Sequence, residues 1–401
     1  MTTGTRNMAP LLGAMFATNL AAYVAFVGAA QILLPAQVQA LDPQGKVAAL
    51  GLVTGVAAIA SVAVPPVVGA LSDRTSSRYG RRSPWILYGG AASLAALAFT
   101  GVASSIPALL VAYFLVSATV NVVLNTLYAV LADRVPASRL GLASTVAGLG
   151  LPIGGLVGVV MAGALVGAIP VAYLITGALV LLASIPLAIT AREQRPPAAP
   201  ARGHLGALPA AFRSRDFTWV FASRSVLFLG YYCVVNFTLY ILTDYIVLPA
   251  GLTPVEATTT LGVISLLCLT AGTAVAGPLA DRLDRRRLFV LISSLLTTAS
   301  VALPLLSPTW TVELVAGVVG GLGFGAYLAV DQALATLVLP ASGAAGRDLG
   351  IFHIALNAPQ VVGPLIGSAA IGVGGYRALF VIGGVLALLG SVAILQVKSV
   401  R

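Results

Sequence analysis

The stretch GALSDRTSSRYGRRSPWI, from Gly69 to Ile86, separates two long apolar runs and carries one acid and four arginines. A shortened copy, GPLADR, begins at Gly277, 208 residues after the first copy begins. Arg139 and Arg347 mark the same offset a second time. A repeat of this length predicts two homologous halves, each with a charged loop after its second apolar run.

The composition around these loops is that of a membrane protein. The chain has 401 residues, of which 59% are hydrophobic and 8% are charged, and its mean hydropathy is +1.00. Apolar runs of about 20 to 30 residues recur between the charged clusters, as a bilayer requires. We therefore predict an all-α membrane protein of twelve transmembrane helices in two pseudo-symmetric six-helix bundles. The predicted spans are 8–36, 46–71, 84–104, 107–132, 139–168, 170–190, 217–247, 254–280, 287–307, 309–339, 347–372 and 376–397.

The basic residues predict the orientation of these spans. If both termini are cytoplasmic, 19 of the 22 lysines and arginines fall in cytoplasmic segments, as positive charges do in inner-membrane proteins. Lys46 and Arg377 then lie outside, and Arg224 lies within a span. Topology and anionic lipid account for the net charge of +10, so we expect a bacterial cytoplasmic membrane and no nucleic-acid partner.

Composition also predicts the domain boundaries. Residues 191–216, AREQRPPAAPARGHLGALPAAFRSRD, are rich in proline, alanine and arginine, as interdomain linkers are. We predict a bundle at 1–190, a cytoplasmic linker at 191–216 and a second bundle at 217–401.

Several classes of protein are disfavoured. Cys233 and Cys268 both fall inside predicted helices, so no disulfide framework is implied. The first apolar run is long enough to be a true span rather than a cleavable signal. No phosphate-binding loop is present, and His204 and His353 are too far apart to suggest a metal site. We expect no cofactor and no enzymatic activity.

Two six-helix halves with this repeated loop resemble the major facilitator transporters. Within that superfamily, the string from Gly69 to Ile86 resembles the corresponding stretch of the glycoside/pentoside/hexuronide:cation symporters and the sucrose carriers. TDY at Thr243 to Tyr245 and GRDLGIFHIALNAPQ at Gly346 to Gln360 are similar to the seventh-helix and eleventh-helix patterns of that family. The resemblance implies alternating access, with helices one, four, seven and ten lining a central cavity.

The repeated loop is then predicted to be a conformational latch. Asp73 and Asp281 follow the pattern of acids that face the positive N-terminal end of a helix from the other half. The alternative is that the loop only turns the chain and sets its topology. The predicted latch residues are Asp73, Arg74, Arg81, Arg82, Asp281 and Arg282.

Polar side chains at helical spacing suggest the solute site. Tyr232, Asn236, Tyr240 and Asp244 recur every four residues in the seventh span, which would place them on one helix face. Amides and hydroxyls can bind a polyol, and tyrosine rings offer it an apolar surface. The alternatives are packing tyrosines and interhelical asparagines. The predicted substrate-binding residues are Asn19, Tyr23, Asn121, Asn125, Tyr128, Tyr232, Asn236 and Tyr240.

Ionisable residues inside the spans suggest coupling and gating. Counted along their helices, Arg224 and Asp331 fall at about the same depth, so we expect an ion pair, with His353 nearby as a titrating group. The alternative is that Arg224 extends to the interface and Asp331 is held permanently. Asp244, near the outer end of its span, is predicted to serve an extracellular gate.

The chain departs from the sucrose carriers at two positions. Tyr128 stands where they have arginine, and Ser117 stands where they have the acid linked to proton coupling. If transport is coupled to a cation, the coupling residue would then be Asp331 or Asp244. An uncoupled uniporter remains an alternative.

The sequence therefore favours a monomeric transporter of a small molecule, most simply a sugar or glycoside, coupled to a proton or Na⁺. One rival is an exporter of drugs or natural products, suggested by a degenerate Gly-Pro motif at Gly148 to Gly158 and by GPLIGS at Gly363 to Ser368. These small-residue faces also suit close helix packing. A membrane enzyme or scaffold is the second rival, and no catalytic dyad or metal cluster supports it.

Overall fold

The computed structural model describes residues 8–136, 139–191, 215–283, 285–337 and 345–397. Apart from an isolated bridge between Val247 and Thr309, the regular structure in these ranges is helical, so the predicted all-α class is confirmed. Most of the predicted linker lies outside the described residues, as do the side chains of Asp281 and His353.

The first part of the chain forms eight helices among the described residues. They are α1 (Ala9–Gly28), α2 (Leu34–Leu41), α3 (Lys46–Arg74), α4 (Ser83–Val102), α5 (Ile106–Arg134), α6 (Leu140–Gly148), α7 (Gly150–Leu165) and α8 (Ile169–Thr190). A π-helical segment, Ala29–Leu33, joins α1 to α2, and a 3₁₀ turn, Val166–Ala168, joins α7 to α8.

The second part forms six helices within the described ranges. They are α9 (Arg215–Val235), α10 (Thr238–Asp244), α11 (Pro254–Leu283), α12 (Arg286–Ala302), α13 (Trp310–Leu337) and α14 (Ala345–Ala393). Short 3₁₀ turns, Leu303–Leu305 and Ile394–Gln396, follow α12 and α14. Gly374 and Gly375 interrupt α14, and Gly375 has a φ of 65°, which favours glycine because it has no Cβ.

These helices are long and apolar enough to cross a membrane. Within the described residues, ten helical stretches meet that standard, and two of them, Gly141–Thr190 and Ala355–Gln396, have 50 and 42 residues. A single crossing needs about 20 residues, so each of these two can cross twice. The breaks at Val166–Ala168 and at Gly374 lie where the chain would turn back. The described helices are thus consistent with twelve crossings.

The chain divides into two compact units. The first unit comprises Met1–Leu41 and Ile59–Pro200, and the second comprises Asp42–Ala58 and Ala201–Arg401. Helix α3 therefore contributes its first part to the second unit and its remainder to the first. The predicted boundaries at 190 and 217 stay a prediction.

Glycines allow close helix packing in the first unit. A methyl group at Gly154 of α7 would overlap the carbonyl oxygen of Leu20 in α1, and one at Gly158 would overlap that of Val24. The backbones of α1 and α7 therefore approach to a distance that only glycine permits. The small-residue face of the fifth predicted span therefore has a packing role. That face is one of the two motifs behind the exporter alternative.

Large apolar side chains cover much of the surface. Leu182 is 62% exposed, Val275 is 63% exposed and Val373 is 91% exposed. Exposure on this scale is unfavourable in water and favourable in lipid. The same helices bury small polar residues on their other faces, for example Ser184 in α8 and Ser391 in α14.

Candidate functional site

An amide and a phenol meet inside the first unit. Asn19 of α1 is fully buried, and its Nδ2 donates a hydrogen bond to the hydroxyl of Tyr128 in α5 at 3.1 Å. Its Oδ1 is buried as well, and no hydrogen bond reaches that atom from the part of the chain that the structure describes. A buried amide oxygen without a donor is costly, so this atom is a candidate acceptor for a ligand hydroxyl.

A second polar group joins α3 and α5. The Nδ2 of Asn121 donates to the Oγ of Ser61 at 3.2 Å and to the backbone oxygen of Ser117 at 2.8 Å. The Oγ atoms of Ser61 and Ser117 lie 3.0 Å apart. Asn125 donates to the backbone oxygen of Asn121 at 2.7 Å. Ser117, which stands where sucrose carriers have an acid, is therefore part of a neutral hydroxyl and amide group.

The predicted seventh helix is interrupted, which corrects the prediction of one continuous polar stripe. Helix α9 ends at Val235, and α10 begins at Thr238. The Nδ2 of Asn236 donates to the backbone oxygen of Tyr232 at 2.7 Å and competes for the acceptor of a regular helical bond. The next amide, that of Phe237, bonds to the oxygen of Val234 three residues back. Tyr232 and Asn236 therefore belong to the end of α9, and Tyr240 and Asp244 belong to a separate short helix.

Aromatic rings line the inner part of α9. Tyr232 stacks on Phe228, with ring centroids 5.8 Å apart. Tyr231 stacks on Phe324 of α13 at 4.4 Å, and Phe228 meets Tyr327 edge to face at 5.8 Å. Such a cluster is rigid and offers flat apolar surfaces with phenol groups at their edges.

A buried ion pair lies beside these rings. The Nη1 of Arg224 in α9 is 3.0 Å from the Oδ2 of Asp331 in α13, and each side chain is 2% exposed. The guanidinium of Arg224 also lies 5.8 Å from the ring centre of Phe228. The structure thus brings together Arg224 and Asp331, which were expected to pair because they fall at about the same depth in their helices. Removing one partner would leave a buried charge, which is strongly destabilising.

A second charged group joins the start of α3 to the end of α10. The Nζ of Lys46 is 2.8 Å from the Oδ2 of Asp244 and 2.9 Å from its Oδ1, and the hydroxyl of Tyr376 donates to the same Oδ2 at 2.6 Å. The lysine also lies over the ring of Tyr240, 4.9 Å from its centre, and Tyr240 is fully buried. Asp244 is 33% exposed. This charged group is more exposed to solvent than the pair of Arg224 and Asp331.

The first charged loop closes on itself and on α5. Arg82 is 2.6 Å from Asp73 and 3.0 Å from Asp133, and Arg81 is 2.8 Å from Asp133. Arg82 is buried, whereas Asp73 is exposed. Asp133 was not predicted to join this network, although its place in LADR at the end of a long apolar helix is a usable signal.

Three further predicted residues lie in the described helices. Tyr23 in α1 is partly buried. Arg74 and Arg282 are exposed near the ends of α3 and α11. The side chains of Asp281 and His353 lie outside the described residues, so their predicted roles stay predictions.

Comparison with protein families decides the class of the chain. The profile described as the Major Facilitator Superfamily matches residues 11–275 and 251–400. The chain belongs to the Major Facilitator Superfamily. It is therefore a multi-pass membrane transporter and not an enzyme, as the repeat and the apolar runs predicted.

Solved structures show the same fold. A crystal structure of the nucleoside transporter NupG has a TM-score of 0.75 at 14% identity, covering 98% of this chain and 99% of that one. A bacterial homolog of the human lysosomal transporter Spinster, in an inward-facing and occupied conformation, scores 0.69 at 16% identity, covering 98% and 95%. An auto-inhibited peptide transporter of the POT family scores 0.74 at 14% identity, covering 98% and 97%. No curated protein sequence matches.

A second acidic residue, besides Asp133, was not predicted from the sequence. Glu313 lies in the first turn of α13 and is 8% exposed, and no hydrogen bond to its Oε2 occurs among the described residues. An acid inside an apolar span is expensive and marks a candidate functional residue. The signal was available in the string TWTVELV, where Glu313 is the one charged residue.

Proposed function

We propose that this chain is a secondary transporter of a small neutral polyhydroxylated solute, a sugar or a glycoside. It works by alternating access of the bundles 1–190 and 217–401, and solute movement is coupled to a proton or Na⁺. The protein acts as a monomer in a bacterial cytoplasmic membrane, with both termini in the cytoplasm and no cofactor.

The observation that carries this proposal is the buried ion pair of Arg224 and Asp331. Two charges that are 2% exposed inside candidate spans carry a large desolvation cost, and such residues are retained where they take part in transport. If the guanidinium of Arg224 turns toward a solute hydroxyl, the buried carboxylate of Asp331 loses its partner and must bind a proton or another cation instead. Solute binding and cation binding would then be linked at one carboxylate.

The solute class follows from the first unit. The first 190 residues contain three acids, Asp42, Asp73 and Asp133, and none of them lies near the middle of a predicted span. The inner polar groups there are amides and hydroxyls, such as Asn19 and Asn121. Groups of this kind bind neutral hydroxyls and cannot hold a transported charge.

A thermal-shift screen followed by transport assays tests the proposal. Purified protein is heated with saccharides, glycosides, nucleosides and amphipathic antibiotics, at acidic and near-neutral pH, with and without Na⁺. A ligand that binds the folded state raises the melting temperature by mass action. Nucleosides are included because they are N-glycosides. We expect a saccharide or glycoside to stabilise the protein and to accumulate in proteoliposomes under a proton or Na⁺ gradient.

The same assays separate the remaining alternatives. Equilibration of the solute without accumulation under either gradient would identify a uniporter. Stabilisation by amphipathic drugs alone would favour the exporter, whose supporting observation is the aromatic cluster of Tyr231, Phe324 and Phe228.

A further inference from the structure

A basic groove lies at one end of the second unit, between α12 and the 3₁₀ turn that follows α14. It has a volume of about 300 Å³ and is lined by Arg285, Arg287, Leu288, Leu291 and Leu395. Two arginine and three leucine side chains therefore line one small space. Among the described lining residues there is no carboxylate.

The groove lies at a membrane boundary. One candidate span begins at Arg286, and another ends at Gln396. The groove therefore lies where two apolar helices leave the hydrocarbon, which is the depth of lipid headgroups. The positive-inside pattern predicts that this is the cytoplasmic side, where the anionic lipids are concentrated.

The groove has an apolar side and a basic side. Leu288 is 41% exposed and Leu395 is 44% exposed, and the neighbouring Ile292 and Val392 are exposed as well. These side chains form an apolar strip that continues from the groove along α12 and α14. Arg285 is exposed, and Arg287 donates to the backbone oxygen of Leu395, which fixes its guanidinium at the groove.

We propose that this groove binds one anionic phospholipid. The phosphodiester contacts Arg285 and Arg287, and an acyl chain lies along Leu288 and Leu395. Guanidinium groups match phosphate oxygens in charge and geometry, and the leucines need a lipid tail rather than water. The site is independent of the solute and of the coupling ion.

Native mass spectrometry of delipidated transporter in a neutral detergent tests this site, with phosphatidylglycerol and phosphatidylcholine as probes. We expect wild type to retain phosphatidylglycerol in preference to phosphatidylcholine. Arg285→Gln should weaken that binding about fivefold, and Arg285→Gln with Arg287→Gln should weaken it by about the square of that factor. The matched control is Arg286→Gln, which removes the same charge one residue away from a position that does not line the groove. It should change binding less than about twofold by the same argument.

Two further measurements test whether the groove binds the acyl chain as well as the phosphate. Leu288→Gln should reduce phosphatidylglycerol binding while leaving the two arginines in place. Inorganic phosphate should compete poorly, because it lacks the acyl chain. The proposal fails if Arg286→Gln weakens lipid binding as much as Arg285→Gln, or if phosphate displaces the lipid at equal concentration. Melting temperatures in neutral detergent show that each variant is folded, and if the double variant is not, the Arg285→Gln single variant decides.

Discussion

At the scale of single residues, the most consequential contact is that between Arg224 and Asp331. Asp331→Asn leaves the guanidinium buried without its acid, and we expect this to lower the free energy of unfolding by about 3 to 5 kcal/mol. Arg224→Gln with Asp331→Asn removes both charges and should recover most of that loss. Thermal or denaturant unfolding in detergent measures both effects.

The same two variants separate stability from coupling. Both should lose gradient-driven accumulation, because neither retains the carboxylate, while Asp331→Asn, which keeps Arg224, should still exchange solute across proteoliposomes. An Asp331→Asn variant that accumulates solute like wild type would refute the coupling role, whatever its stability.

Asn121 poses a different question, because it bonds both within its helix and to α3. Asn121→Ala should weaken solute binding about tenfold, the cost of roughly one hydrogen bond. Ser61→Ala is the matched control, since it removes the bond to Asn121 and leaves the amide in place. Isothermal titration with the solute found in the screen compares them, and equal losses would make Asn121 an interhelical contact instead.

At the scale of helices, the glycines of α7 decide how closely it packs on α1. Gly154→Ala forces the methyl group against the Leu20 carbonyl, and we expect a cost of about 1 to 3 kcal/mol in unfolding free energy. Gly148→Ala, six residues away in α6, meets nothing within 4 Å and should be neutral or stabilising by up to about 1 kcal/mol. Melting temperatures of the two variants test this contact, and equal values would show that α7 can shift without cost.

Helices also show what a sequence can and cannot predict. Apolar runs and the 208-residue repeat suffice for the all-α class, because length and hydropathy define a membrane span. The break between α9 and α10 was not predicted, because it falls inside an apolar run and no glycine or proline stands between Val235 and Thr238. The pairing of Arg224 with Asp331 could be inferred from depth alone, since both helices rise by about 1.5 Å per residue.

At the scale of the whole molecule, the helix α3 links the two compact units, since Asp42–Ala58 belongs to one and Ile59 to the other. The partner of Lys46 is Asp244, 198 residues away, and no spacing rule in the sequence connects them. The contact is held by Tyr376, which donates to the same carboxylate. Alternating access requires the chain to part somewhere on each side of the membrane, and a partly exposed pair is weaker there than a buried one.

The pair of Lys46 and Asp244 is therefore predicted to hold the outer side closed. A cysteine at Ser368, where the structure packs Gly51 closely, reports opening through its reaction with a membrane-impermeant maleimide, in a background with Cys233→Ala and Cys268→Ala. Asp244→Asn should raise the labelling rate about fivefold, because loss of a partly exposed ion pair shifts the equilibrium by about 1 kcal/mol.

Lys46→Asp with Asp244→Lys restores opposite charges and should return labelling toward the wild-type rate, whereas Lys46→Asp alone should label fastest. High salt should raise the wild-type rate and leave Asp244→Asn unchanged, because screening acts only where the pair exists. If the exchanged pair labels as fast as the single variants, the attraction between these two charges does not close the outer side.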